Sequence, residues 1–261
     1  MKSFTMKALA VAVLGLAGMG SAFAACPTIP ANSATPGGGG AWSSQTVTAA
    51  TVGNAATGLN GTLCAFSVSI NAGAAANTKG FVTDLSPAAE PRYRARFYFN
   101  TAALTNLNIA NRQVRMFSAL ATTPPAGAGA EEVIINLVGG SVAGVTQPSV
   151  RFIVGDTGSP GNQKLINAAL PNSGGNYRIE FDLNSTAGTF RYWVLDAAAD
   201  NSTFNDSNPT GTATMTDTGW SGVDQVNLGL FGTSAQYRAN VSAQALIVDE
   251  FDSRRSTFIG Q

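Results

Sequence analysis

The stretch Tyr177-Arg178-Ile179-Glu180-Phe181-Asp182-Leu183, then Asn184-Ser185-Thr186-Ala187-Gly188, then Thr189-Phe190-Arg191-Tyr192-Trp193-Val194-Leu195 decides the fold. Apolar and polar residues alternate with a period of two on both sides of a turn that ends in glycine. That is the pattern of an antiparallel hairpin with one face on a core. With Asp182 opposite Arg191, Glu180 falls opposite Trp193 and Arg178 opposite Leu195. Tyr177, Ile179, Phe181, Leu183, Phe190, Tyr192 and Val194 then share the core face. Arg178, Glu180, Asp182, Arg191 and Trp193 share the other face, which is expected to point outward.

The same period recurs along the chain. Tyr93, Ala95, Phe97 and Phe99 fall on one side of a strand, and Arg94, Arg96 and Tyr98 on the other. Leu63–Ile70, Val114–Leu120, Glu132–Val138, Val150–Val154, Val223–Phe231 and Gln244–Phe251 read as further strands, with a polar loop over Ala197–Gly219. No helical period stands out after the first 24 residues. Many short strands separated by turn residues predict one all-β, antiparallel sandwich over residues 42–261.

The N-terminus predicts export. Lys2 and Lys7 precede an apolar run, Ala8–Gly20, too short to span a bilayer, and Ala22-Phe23-Ala24 has the small-x-small form of a signal-peptidase site. Residues 1–24 are therefore expected to be a signal peptide and 25–41, rich in Pro, Ser and Gly, a flexible leader. The protein is expected to be secreted, periplasmic or held at the cell surface, without a transmembrane segment in its mature chain. Cys26 and Cys64 are the only cysteines, and an oxidising destination makes their disulfide the expectation. Phe23-Ala24-Ala25-Cys26 also has the outline of a lipoprotein box, which would acylate Cys26 instead.

Composition excludes several classes of chemistry. There are no histidines, so Ser-His-Asp or Cys-His catalysis and His-ligated zinc are ruled out. Basic and acidic residues balance at 15 each, which leaves no basic field for a nucleic-acid backbone. A mixed charged and aromatic face suits a sugar, whose C–H face stacks on a ring while its hydroxyls bond charged groups. Arg178, Glu180, Asp182, Arg191 and Trp193, with Arg94, Arg96 and Tyr98 if the strands share a sheet, are the candidate carbohydrate site. An ordinary cross-strand ion pair between Asp182 and Arg191 is the competing account. Asp196, Asp200 and Asp206, in a loop that also holds Asn201, Asn205 and Asn208, are candidate Ca2+ ligands without EF-hand spacing. Asp249, Glu250 and Asp252 are expected to be neutralised by Arg254 and Arg255.

Val226-Asn227-Leu228-Gly229-Leu230-Phe231, Val248-Asp249-Glu250-Phe251-Asp252-Ser253-Arg254-Arg255 and Phe258-Ile259-Gly260 resemble the closing strands of concanavalin A-like (LamG-like) jelly-roll modules of bacterial secreted proteins. The resemblance runs from about Arg92 to the C-terminus and implies a jelly-roll β-sandwich of the lectin and glucanase type. It does not by itself imply an activity. Glu180-Phe181-Asp182-Leu183-Asn184 resembles the Glu-x-Asp-x-Glu strand of jelly-roll glucanases. That likeness makes Glu180 the nucleophile and Asp182 its helper, but Asn184 stands where the acid/base carboxyl is required. The expectation is thus a non-catalytic module recognising a glycan or cell-surface component. A structural or adhesive envelope protein is the alternative, and a glycosidase lacking its acid/base comes after both.

Overall fold

The computed structural model describes residues 42–260, apart from 56, 60–61, 63, 72, 102–106, 108–109, 143–144, 147, 156–162, 172–174, 200–203, 216–218, 240–243 and 256. The signal-peptide and leader expectations, and Cys26, lie outside the described residues. In chain order the strands are β1 (Ser44–Thr48), β2 (Ala50–Ala55), β3 (Ala65–Ile70), β4 (Lys79–Asp84), β5 (Arg92–Asn100), β6 (Gln113–Leu120), β7 (Glu131–Val138) and β8 (Ser141–Val142). Then come β9 (Val145–Thr146), β10 (Ser149–Val154), β11 (Lys164–Ala169), β12 (Asn176–Asn184), β13 (Thr189–Asp196), β14 (Gly211–Thr214) and β15 (Gln225–Phe231). A single helical turn, α1 (Ala235–Arg238), precedes β16 (Gln244–Arg254).

Two seven-stranded antiparallel sheets make the sandwich, ordered β1-β4-β15-β6-β7-β10-β11 and β14-β13-β12-β5-β16-β3-β2. The antiparallel sandwich expected from the alternating pattern, which the resemblance implied would be a jelly roll, is the fold. Each predicted strand has its ends within three residues of an observed one, and the 177–195 hairpin has the expected register, Asp182 to Arg191 and Glu180 to Trp193. The polar loop after it is interrupted by β14, whose Thr and Gly residues give no apolar alternation. Among the described residues no helix is long and apolar enough to cross a membrane.

The core lies between the sheets and is rich in aromatic rings. Phe97 stacks on Phe117 at 5.7 Å, Phe181 meets Phe117 edge-on at 5.3 Å, and Phe152 contacts Tyr192 at 4.8 Å. These contacts join β5, β12 and β13 of one sheet to β6 and β10 of the other. Where β4 pairs with β15, Gly229 lies opposite Phe81 and leaves no room for a side chain. A Cβ on Gly229, whose φ is 155°, would sit 2.3 Å from the Gly80 carbonyl oxygen.

One irregularity sets the phase of the last strand. Opposite β5, Asp249 pairs with Tyr98 and Asp252 with Arg96, so β16 spends one extra residue there. Glu250 takes it up in the left-handed region, at φ 47°. Phe251 is thereby turned onto the core, 5.0 Å from Trp42.

Candidate functional site

The register places the candidate residues in three rows across β16, β5, β12 and β13. Arg254, Arg94, Asp182 and Arg191 form the first row; Asp252, Arg96, Glu180 and Trp193 the second; Asp249, Tyr98, Arg178 and Leu195 the third. The structure therefore brings together all eight residues nominated from the sequence, and the two arginine-bearing strands do share a sheet. What differs is exposure. Arg94, Tyr98, Arg178, Glu180, Asp182 and Trp193 are all at most 4 % exposed, so the face expected to be open is a second buried layer.

Two segments cover it. The C-terminal residues lie over the second row. The N–H groups of Ile259 and Gly260 donate to the two oxygens of Glu180, both at 2.9 Å, and Arg96 donates to the Gly260 carbonyl at 2.9 Å. Phe258 rests on Trp193, with ring centres 5.2 Å apart. From the other side comes the loop before β14: Trp193 Nε1 donates to the Asn205 carbonyl at 3.1 Å, and Asp206 bonds Arg94 and Arg191. Over the third row, Tyr98 packs with Leu59 and Ala197. Both aromatic platforms expected for a sugar thus already carry protein neighbours.

Such a layer can be buried because its charges are matched. Asp182 accepts from Arg92 through both carboxylate oxygens, at 3.0 and 2.9 Å, from Arg94 at 2.9 Å and from Arg191 at 2.6 Å. Burial alone would push its carboxyl up, but the hydrogen bonds from Arg92, Arg94 and Arg191 outweigh burial and hold it well below the usual carboxylate range. For Glu180, burial wins. Its carboxyl is raised despite the amides of Ile259 and Gly260 and the positive charges of Arg94 and Arg178. Arg94 lies 3.8 Å from Glu180, so its guanidinium serves three carboxylates at once. Arg94 and Arg191 also lie 5.8 and 5.4 Å from the Trp193 ring centre, within cation–π range.

This arrangement suits holding better than proton transfer. Asp182 is locked as an anion, and each oxygen of Glu180 already accepts an amide. Asn184, at the position of the glucanase acid/base, accepts from the Ala187 N–H at 2.8 Å and shapes the hairpin turn.

Of the candidate Ca2+ ligands, Asp206 lies against Arg94 and Arg191. Two guanidinium groups bond it, and after burial is offset they hold its carboxyl below the ordinary value. A carboxylate committed to two cations is a poor ligand for a third. Asp196 accepts from the Ala198 N–H in a tight turn, and Asp200 lies outside the described residues. Among the described residues no group of three or more acidic or cysteine side chains is close enough to hold a metal. The C-terminal acidic cluster is neutralised differently from the expectation: Arg254 pairs with Asp252, but Arg255 pairs with Glu90 and Glu250 faces Arg96. Asp249 instead accepts from the Leu59 N–H at 2.7 Å.

Sequence reasoning missed Arg92 and the covering role of Phe258–Gly260. Nothing in a period-two pattern says what lies above an outward face. Four arginines among two carboxylates did signal that further acceptors were needed, and Asp206 and the Gly260 carbonyl supply them.

No family model and no curated protein matches this sequence. Solved structures do match in shape. The endo-β-1,4-glucuronan lyase from the fungus Trichoderma reesei superposes with a TM-score of 0.52 at 12% identity, over 83% of this chain and 92% of that one. An alginate lyase from Pseudomonas aeruginosa gives 0.48 at 10% identity, over 74% and 83%. The botulinum neurotoxin serotype D binding domain gives 0.49 at 11% identity, over 80% of this chain but only 44% of that one. At 12% identity the chain shares with the glucuronan lyase a β-sandwich fold.

Proposed function

We propose that this protein is an exported, non-catalytic carbohydrate-binding module of the concanavalin A-like type. The observation that carries this reading is the charged and aromatic layer on the β5–β12–β13 face. Arg94, Arg96, Arg178, Arg191, Glu180, Asp182 and Trp193 gather there, with Arg92 and Arg191 reaching its accessible margin. A fold that the fungal glucuronan lyase uses on a polysaccharide adds support, and binding rather than cleavage is what we carry over. The saturated carboxylates and Asn184 favour recognition over hydrolysis.

The test is a glycan array and insoluble-polysaccharide pull-down on the mature chain, with Ca2+ and with chelator. Selective binding weakened by Arg191→Gln supports the reading. A well-folded chain that binds no glycan overturns it. Loss of binding with chelator would add a Ca2+ requirement.

A second reading is an adhesive or structural envelope component. It rests on β11, an edge strand among the described residues with Leu165 52% exposed, which offers a sheet edge and an apolar side chain together. Concentration-dependent association in sedimentation, abolished by Leu165→Lys, supports it; a strict monomer at all concentrations removes it.

A further inference from the structure

The contacts made by Phe258–Gly260 have the chemistry of a bound sugar. Two adjacent N–H donors each take one oxygen of the same carboxylate, as the two hydroxyls of a vicinal diol would. Gly260, at φ 75°, turns its N–H toward Glu180 beside that of Ile259. Its carbonyl then gives Arg96 an acceptor. The Phe258 ring lies against Trp193 where the C–H face of a pyranose would lie. Beside the Phe258 ring, Arg94 Nε is a buried polar atom with no hydrogen-bond partner among the described residues.

We propose that Phe258–Gly260 is a displaceable strap occupying a saccharide subsite, and that a uronate-bearing polysaccharide takes its place. This inference rests on the carbohydrate-binding reading above and adds to it the ligand class and the gate. The uronate follows from Arg96: once the strap leaves, its Nη1 loses the Gly260 carbonyl while Glu250 stays beside Nη2, and a ligand carboxylate supplies the lost acceptor. Glu180 then takes the vicinal hydroxyls, and Trp193 becomes the stacking plane that the strap now covers.

Phe258–Gly260 belong to no strand, so their loss removes no ladder hydrogen bond from either sheet. The experiment compares the full mature chain with a chain ending at Thr257, using an oligoglucuronate and a neutral oligoglucoside as probes. The shortened chain is expected to bind the oligoglucuronate at least ~10-fold more tightly, about 1.4 kcal/mol. Arg96→Gln is expected to remove that gain. Gly260→Pro, which deletes one donor to Glu180 and forbids the positive φ, is expected to reproduce part of it in a chain of full length. Hydrogen exchange on the full chain gives an independent readout: oligoglucuronate should deprotect the Ile259 and Gly260 amides.

Equal affinity of folded full and shortened chains for the oligoglucuronate overturns the strap but leaves the binding module standing. An equal gain for the oligoglucoside overturns the uronate assignment. No binding by either folded chain overturns this inference and the parent reading together. Binding to the full chain with both amides still protected shows that the ligand sits elsewhere and also overturns the strap.

Discussion

Arg94 and Asp182 are cross-strand partners whose side chains meet at 2.9 Å with essentially no exposure to water. Neither charge could be buried there alone. Three guanidinium groups on Asp182, and three carboxylates around Arg94, turn an outward sheet face into a closed electrostatic layer.

Removing the hub should therefore cost far more than removing a spoke. Asp182→Ala leaves Arg94 buried without its main partner and is expected to destabilise by about 3–5 kcal/mol. Arg92, which is 37% exposed, contributes a screened pair, so Arg92→Ala should cost ~1 kcal/mol or less. Urea denaturation of the two variants checks the contrast, and equal costs would refute it.

The two carboxylates should give opposite pH signatures. Asp182 is depressed, so its contribution is fully present above the unfolded value near 3.9 and is lost as pH falls through its folded pKa. Glu180 is raised above its ordinary 4.5, so the folded state binds the proton more tightly than the unfolded one. Stability should then fall as pH rises from about the unfolded value through the folded pKa of Glu180. Glu180→Gln is expected to flatten that fall while leaving the acid limb intact. Denaturation midpoints collected from pH 3 to 8 would show it.

Much of this was legible in the sequence. Period-two alternation in 93–99 and 177–195 was enough to set both strands, their faces and the hairpin register, because a one-residue slip would expose Phe181 and Tyr192 together. The same alternation misled about exposure. It reports which side chains share a face, and the covering by Phe258 and Asn205 depends on contacts across 65 and 12 residues of chain. Lys164–Ala169 and Gly211–Thr214 escaped notice because edge strands bury too little to impose a pattern.

Trp193 cannot be used as a simple binding probe. It is wholly buried, so Trp193→Ala should cost about 3–5 kcal/mol through the cavity it leaves. Trp193→Phe keeps the ring and should cost noticeably less. Thermal melts of both, taken before any glycan assay, separate folding from recognition.

Gly229 is expected to tolerate no side chain. Gly229→Ala drives a Cβ into the Gly80 carbonyl in a left-handed backbone region, and it should destabilise by at least about 1–3 kcal/mol. A variant as stable as the parent would show that β4 and β15 can separate freely.

The expected Cys26–Cys64 bridge has a direct check. Alkylation of the folded and denatured mature protein should label neither thiol until reductant is added, and reduction should cost about 4 kcal/mol of stability on the chain-entropy model. An added acyl mass on Cys26 would decide for the lipoprotein alternative.

The extra residue at Glu250 reaches further than its own strand. Because side chains alternate, shifting the phase by one position decides which side of the sheet every later residue serves. Were Glu250 retained but drawn into an unbulged strand, Phe251 would leave the core, and Asp252 and Arg254 would turn inward. The path toward Phe258 would then start from the wrong side. Drawing Glu250 into regular alternation would thus act as a frameshift in space, whereas deleting it would leave Phe251 opposite Phe97 and the chain's last residues on their present side.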